Sequence, residues 1–303
     1  MQRWLQIAAL SLAIGISGCD GCSAGIDDDT NDGQGASGEG GGGGSNGNGF
    51  NSGGSGGGST LDDCLENAKL VYVLSADFEL YSFDPNIPGT AAYKLVGPLS
   101  CPSELGGPQS MAVDRDGTAF VFYDSGELFR VSTLDASCTA TPYVHPAQGG
   151  FNQLGMGFTA TAPDSKEQQL YIVSPAFGLA TVDTSSYAVT QTGALVEIAE
   201  LTGGPDARLF RFAANSAQLD EIGIGSWVAS PIHTFNELLG TAAFAFSRYA
   251  GNFYLFTSPG AGIPSTTTEY DPLTNTSLTR DANVGFTIVG AGQSTCVPPP
   301  AAR

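Results

Sequence analysis

The feature that most restricts this chain is a pair of short apolar runs that returns five times between Leu70 and Pro272. The first run reads Leu70-Val-Tyr-Val-Leu-Ser75, Ala119-Phe-Val-Phe-Tyr-Asp124, Leu170-Tyr-Ile-Val-Ser-Pro175, Leu209-Phe-Arg-Phe-Ala-Ala214 and Phe253-Tyr-Leu-Phe-Thr-Ser258. The second follows as Leu80-Tyr-Ser-Phe-Asp-Pro85, Leu128-Phe-Arg-Val-Ser-Thr133, Leu179-Ala-Thr-Val-Asp-Thr184, Leu219-Asp-Glu-Ile-Gly-Ile224 and Thr267-Thr-Glu-Tyr-Asp-Pro272. The second runs begin 48, 51, 40 and 48 residues apart. Turn formers separate the members of each pair, most clearly Asp124-Ser125-Gly126 in the second copy. A unit this small cannot cover both faces of its own strands, so the copies must stack on one another.

A third strand precedes copies two to five: Ser110-Met-Ala-Val-Asp114, Phe158-Thr-Ala-Thr161, Val196-Glu-Ile-Ala-Glu-Leu201 and Ala243-Phe-Ala-Phe-Ser247. Copy one has no such leader, whereas Phe286-Thr-Ile-Val-Gly-Ala291 stands unclaimed after copy five. A closed ring accounts for both facts. The last strand then completes the first unit, and no sheet edge is left open at the chain ends. Fourth strands are expected at 92–96, 139–144, 189–195, 228–232 and 277–281. The expected fold is therefore all-β: a β-propeller of four-stranded blades, five in number, shut by pairing of its N- and C-terminal strands. Six blades are the alternative if 134–160 holds a divergent copy.

The chain of 303 residues carries a formal charge of −19, which repels phosphate backbones and argues against nucleic acid as a partner. Its start reads as a leader: Arg3 precedes an apolar run, Leu5 to Ile16, too short to span a bilayer. Residues 19–63 form an acidic, Gly/Ser-rich segment that cannot bury enough apolar surface to offset its ordering entropy. A flexible tether of that length spans on the order of 35–40 Å. The expected organisation is a leader over 1–18, a tether over 19–63, the propeller over 64–297 and a disordered tail over 298–303.

Ile16-Ser17-Gly18-Cys19 resembles the bacterial lipobox. That resemblance implies that Cys19 is lipidated and becomes the mature N-terminus, anchoring the chain in the cell envelope. Three acyl chains at about 0.8 kcal/mol per buried methylene hold far more firmly than one. The outer membrane is the favoured location, with its periplasmic or surface side left open. The copy Ala112-Val-Asp-Arg-Asp-Gly-Thr-Ala-Phe-Val-Phe122 resembles NHL- and YVTN-type propeller repeats. With the lipobox and tether, the whole is similar to uncharacterised propeller lipoproteins of myxobacteria and like soil bacteria. This resemblance implies a fold and a location but no reaction, because propellers host many functions.

An exported chain can hold disulfides. Cys64 precedes the first apolar run and Cys296 follows the last strand, so ring closure brings them together and a Cys64–Cys296 bond is expected. Cys101 and Cys138 pair by elimination, although flat blades would put them on opposite faces. Cys22 is left over in the tether.

Catalytic chemistry leaves little trace. His145 and His233 are the two histidines, neither has a second ligand at metal spacing, and both are expected in solvated loops. Asp28, Thr30, Asp32, Gly33 and Glu39 fall at calcium-loop positions without flanking helices, and Gly53 to Gly57 mimics a nucleophile elbow without its strand and helix. Asp114-Arg115-Asp116-Gly117 is what a tight turn demands. Asp77, Glu79, Asn152, Glu197, Asn215 and Glu269 are the carboxylates and amides that could face a channel. No catalytic residue, metal or cofactor is assigned, and a metal-assisted, lactonase-like hydrolase is the second reading. The first is a monomeric, envelope-anchored binding or scaffolding module for an envelope or extracellular protein or glycan. Its contacts would lie on the longest loop entering an inner strand, at His145, Gln148, Phe151, Asn152, Gln153 and Met156. Trp227 is expected in the core.

Overall fold

A computed structural model describes residues 63–103, 106–146, 153–260 and 262–300. The leader, Cys19, the tether before residue 63, Gln148, Phe151, Asn152 and residues 301–303 lie outside the described residues.

Twenty strands form five four-stranded antiparallel sheets. Blade one contains β1 (Val71–Ser75), β2 (Glu79–Phe83) and β3 (Tyr93–Pro98). Blade two is β4 (Pro108–Val113), β5 (Thr118–Tyr123), β6 (Leu128–Ser132) and β7 (Cys138–Ala140). Blade three is β8 (Gly155–Ala160), β9 (Gln168–Ser174), β10 (Gly178–Val182) and β11 (Val189–Gly193). Blade four is β12 (Ala199–Thr202), β13 (Leu209–Ala213), β14 (Gln218–Ile222) and β15 (Ala229–Thr234). Blade five is β16 (Ala243–Tyr249), β17 (Asn252–Ser258), β18 (Thr266–Asp271) and β19 (Thr276–Asp281). The last strand, β20 (Ile288–Gln293), returns to pair with β1 and becomes the innermost strand of blade one.

The fold is thus a five-bladed β-propeller closed by its chain ends. The described residues of 134–160 form only β7 and β8, which belong to blades two and three and not to a sixth. Three short 3-10 turns are the only helical segments among the described residues, and none is long and apolar enough to cross a membrane.

Each blade interface has its own hydrophobic core. Tyr72, Leu74 and Leu80 of blade one meet Met111, Val121 and Phe129 of blade two. Val71 and Val73 point the other way and join Tyr254 and Phe256 of blade five. Successive side chains of β1 therefore serve opposite interfaces, as the period of two in a strand requires. The second strand of every blade is covered on both sides, so it reads as a mainly apolar run, broken only in blade four by Arg211, which is paired with Glu197 and Asp220. The outermost strands are largely exposed and leave a weaker pattern.

Toward the axis the innermost strands press against one another, and glycine makes that approach feasible. A Cβ at Gly155 would overlap the Ala199 carbonyl, and one at Gly157 would sit 2.9 Å from the Leu201 backbone. Gly292 stands in the same relation to Met111 and Ala112 on the other side of the ring. Two strand starts differ from their expected places: β8 begins at Gly155 rather than Phe158, extended by these glycines, and β12 begins at Ala199 rather than Val196, because 197–198 form a bend.

At the rim, the hairpins between the third and fourth strands fold onto the preceding blade. Ala136 and Trp227 take left-handed backbone angles there and pack against Gly97 and Gly193 respectively. That docking settles the Cys101 question. A twisted outer strand carries Gly97 to the hairpin that precedes Cys138, and Cys101 follows four residues later. Cys101–Cys138 and Cys64–Cys296 are both disulfide-bonded, with Cα separations of 4.9 and 5.9 Å. Trp227 itself is half-buried against Tyr171 rather than fully enclosed.

Two stability predictions follow from closure. Replacing Cys64 and Cys296 together by Ser should cost about 5 kcal/mol, an upper figure for a loop this long, against about 4 kcal/mol for Cys101 and Cys138. Urea midpoints of the two double variants measure the difference. Gly155→Ala should destabilise by about 3 kcal/mol in the same assay, because backbone on the facing strand has nowhere to move.

Candidate functional site

The innermost strands all run from what we term the upper face to the lower face. Loops leading into them, and hairpins joining second to third strands, therefore gather above. The remaining hairpins and both ends of the described domain lie below. The lower mouth of the axis is covered: Ser294 to Val297 are buried, and the Cys64–Cys296 bond fastens them to the start of the domain. The cover reaches further than expected, since Pro298 accepts a hydrogen bond from Ala250 N and Pro300 packs on Gly251.

Between the mouths, polar bonds cross the axis. Ser110 Oγ of blade two donates to Glu200 Oε2 of blade four at 2.8 Å. Gln293 of blade one reaches Thr202 Oγ1 at 2.5 Å and Gly203 O at 2.8 Å, again in blade four. Neither pair joins neighbouring blades, so each bond ties together strands that share no sheet and no interface. Glu200 is fully enclosed, and burial raises its carboxyl well above the usual range despite donors at Ser110, Met156 N and Leu201 N. Its side chain fills the axis. An acid in a short strand reads as a solvated residue, and only its place on an innermost strand could have marked it.

Of the loop residues expected to make contacts, His145 is buried, its ring 5.6 Å from Phe122 and 5.5 Å from Phe177. Met156 is buried in the core between blades two and three, and Gln153 is half-buried. His233 stacks 4.6 Å from Tyr270. His145 is thus packed on aromatic rings rather than solvated, because its loop folds back over the blade edge, whereas His233 is half-buried and sits in β15 rather than in a loop.

The acids nominated for a channel are scattered. Glu79 accepts from Tyr81, Glu197 pairs with Arg211, and Glu269 binds Arg280, Asn252 and Tyr254. Asp77 and Asn215 are exposed in separate turns. Among the described residues no three His, Cys, Asp or Glu side chains gather as a metal site.

What the upper face does present is apolar and acidic. Phe78, Val144, Val196, Leu239 and Ile263 are 41–67% exposed on five of its loops. Asp77, Asp124, Glu127, Glu197 and Glu237 lie among them, and the described residues of these loops include no lysine or arginine. Arg115, Lys166 and Arg208 all stand on lower-face loops.

No family model matches the chain, and no curated protein matches it. Among solved structures, a nidogen/laminin complex aligns at TM-score 0.49 and 9% identity over 74% of this chain and 97% of that one. Hydrazine synthase of Kuenenia stuttgartiensis aligns at 0.39 and 13% over 58% of this chain and 49% of that one. The extracellular domain of a one-component system from B. thetaiotaomicron aligns at 0.39 and 9% over 73% of this chain and 28% of that one. The chain thus spans about half or less of the last two. Likeness this remote bears on neither ligand nor activity, and the blade count rests on the strand pairing above.

The axial acid has a pH signature. Glu200 is neutral in both folded and unfolded chains below its ordinary value of 4.5. As pH rises from there toward the raised folded value, only the unfolded chain gains by ionising, so stability falls. Glu200→Gln removes the ionisable group at nearly unchanged volume; its amide oxygen still accepts, and Ser110 Oγ accepts from its Nε2 instead of donating. It should raise the thermal midpoint at pH 8 by at least about 3 °C, the effect of ~1 kcal/mol in a domain this size, and change little at pH 4.

Proposed function

We propose that this propeller is a binding module of the cell envelope whose upper face docks a protein partner. The observation that carries the reading is that the upper-face loops combine exposed apolar side chains with acids and, in their described residues, carry no lysine or arginine, although Glu197 pairs back onto Arg211 of β13; the lower face exposes as many apolar side chains but sets them beside Arg115, Lys166 and Arg208. Exposed apolar clusters with polar surrounds mark interaction surfaces. The partner that fits presents apolar anchors flanked by lysine or arginine, since like charges would be repelled.

Attachment supports the same face. The chain enters the domain from below, at Cys64, and the disulfide to Cys296 holds that point against β20 rather than leaving it to β1 alone. A lipid on Cys19, with the tether between, would hold the lower face toward the membrane side of the domain and leave the upper face outward. Two disulfides fit an oxidising compartment such as the envelope. In this reading the protein is a monomer, and the outer membrane is the favoured anchor.

Photo-crosslinking tests it directly. A photoreactive residue at Val196 or Leu239 should trap one discrete protein in intact cells, and one at the lower-face hairpin residue Leu134 should not. Equal trapping from Leu134, or none from the upper face, would contradict the proposal. A product carrying glycan instead of peptide would move the reading to a glycan partner.

A further inference from the structure

A well-formed cleft lies away from the upper face. It has a volume of about 560 Å³ and opens on the lower side between blades four and five. Small-molecule sites fall in that size range and combine apolar walls with a few placed polar groups.

The walls here come from both blades. Phe210 of β13 and Phe253 of β17 meet edge to face at 5.0 Å, and Ile232, Pro272, Leu273 and Pro300 add apolar surface. Two guanidinium groups lie over the Phe210 ring, Arg208 at 4.8 Å and Arg248 at 4.6 Å. They are engaged very differently. Arg208 is half-exposed and forked onto Glu221, with Nε and Nη2 at 2.7 and 2.5 Å from its two oxygens. Arg248 has a side chain only 6% exposed, yet among the described residues its one ion pair is Nη1 to Asp206 at 2.8 Å. Its Nε has no hydrogen-bond partner there. A guanidinium offers five donors, and one of them, the Arg248 Nε, is buried without a partner, which costs stability. Asp271 also borders the cleft, but its carboxylate is held by Leu273 N, Thr274 N and Thr274 Oγ1 of its own hairpin.

We propose that this cleft is a second, independent site that binds a small carboxylate with an aromatic or branched apolar body. The carboxylate takes the unpartnered Nε donor of Arg248, and the body lies along Phe210, Ile232 and Leu273. Carboxylate-to-guanidinium bonds are charge-assisted and strongest where water is excluded, as it is around Arg248. The site is on the opposite face from the docking surface above, so either can fail alone.

Phenylacetate is a suitable probe, with the neutral isostere phenylacetamide beside it. Titrated into the chain and followed by NMR, phenylacetate should shift signals of Ile232, Leu273 and Gly251 with a Kd on the order of 1 mM. Phenylacetamide should bind at least about 10-fold more weakly, the factor that ~1.4 kcal/mol represents. Arg248→Lys keeps the charge but loses the fork and should weaken phenylacetate. Because Arg248 is buried and that variant could misfold, Leu273→Glu on the exposed rim gives the second arm. It should leave the thermal midpoint unchanged and weaken phenylacetate by like-charge repulsion. Equal affinity for acid and amide, shifts confined to residues elsewhere, or indifference to Leu273→Glu would each overturn the proposal.

Discussion

Everything in this propeller depends on how closely five innermost strands can approach one axis. Side chains there compete for a space that barely admits backbone, and two responses are visible. Gly155, Gly157 and Gly292 remove the side chain where neighbouring strands touch. Glu200, Ser110, Gln293 and Thr202 fill the remaining centre with hydrogen bonds that span non-adjacent blades. Apolar side chains could fill the same volume, but they would not select one register around the ring. A polar group left unpaired at the axis is costly, so each bond penalises a shifted blade.

The closed axis determines where function can reside. The lower mouth is sealed by the segment after β20 and its disulfide, and the middle is occupied by Glu200 and its partners. Blade cores are committed to neighbouring blades. What stays open is loop sequence, where copies differ without disturbing the repeat, and the crevices between blades at the rim. The upper-face ring and the cleft beside Arg248 are the two places where such freedom has produced a surface not accounted for by folding.

Legibility in the sequence followed burial. The second strands, such as Val71–Ser75 and Thr118–Tyr123, are covered on both sides, and their apolar runs showed the blade number, while the unclaimed strand at 286–291 showed ring closure. The innermost strands were blurred because the glycines that let them pack look like turn residues, as in Gly155-Met156-Gly157. Outer strands were blurred because exposed faces tolerate polar residues, and β7 is only three residues long. The sites were less legible still. His145 and Met156 looked like loop contacts but are buried, whereas Glu200, which no sequence feature singled out, is enclosed at the axis. The cleft joins Arg208, Ile232, Arg248 and Leu273, four segments that only the blade-four to blade-five packing brings together.

The central claim is that the last strand is an integral part of the first blade and completes the axis. Native-state hydrogen exchange tests it most directly. Amides of Ile288–Gln293 should exchange as slowly as those of Val71–Ser75, and both should be released only with global unfolding, because neither strand can open without breaking the ring. Early exchange of Ile288–Gln293 while Thr118–Tyr123 stays protected would contradict the account, since it would describe an open array with a loosely attached final strand.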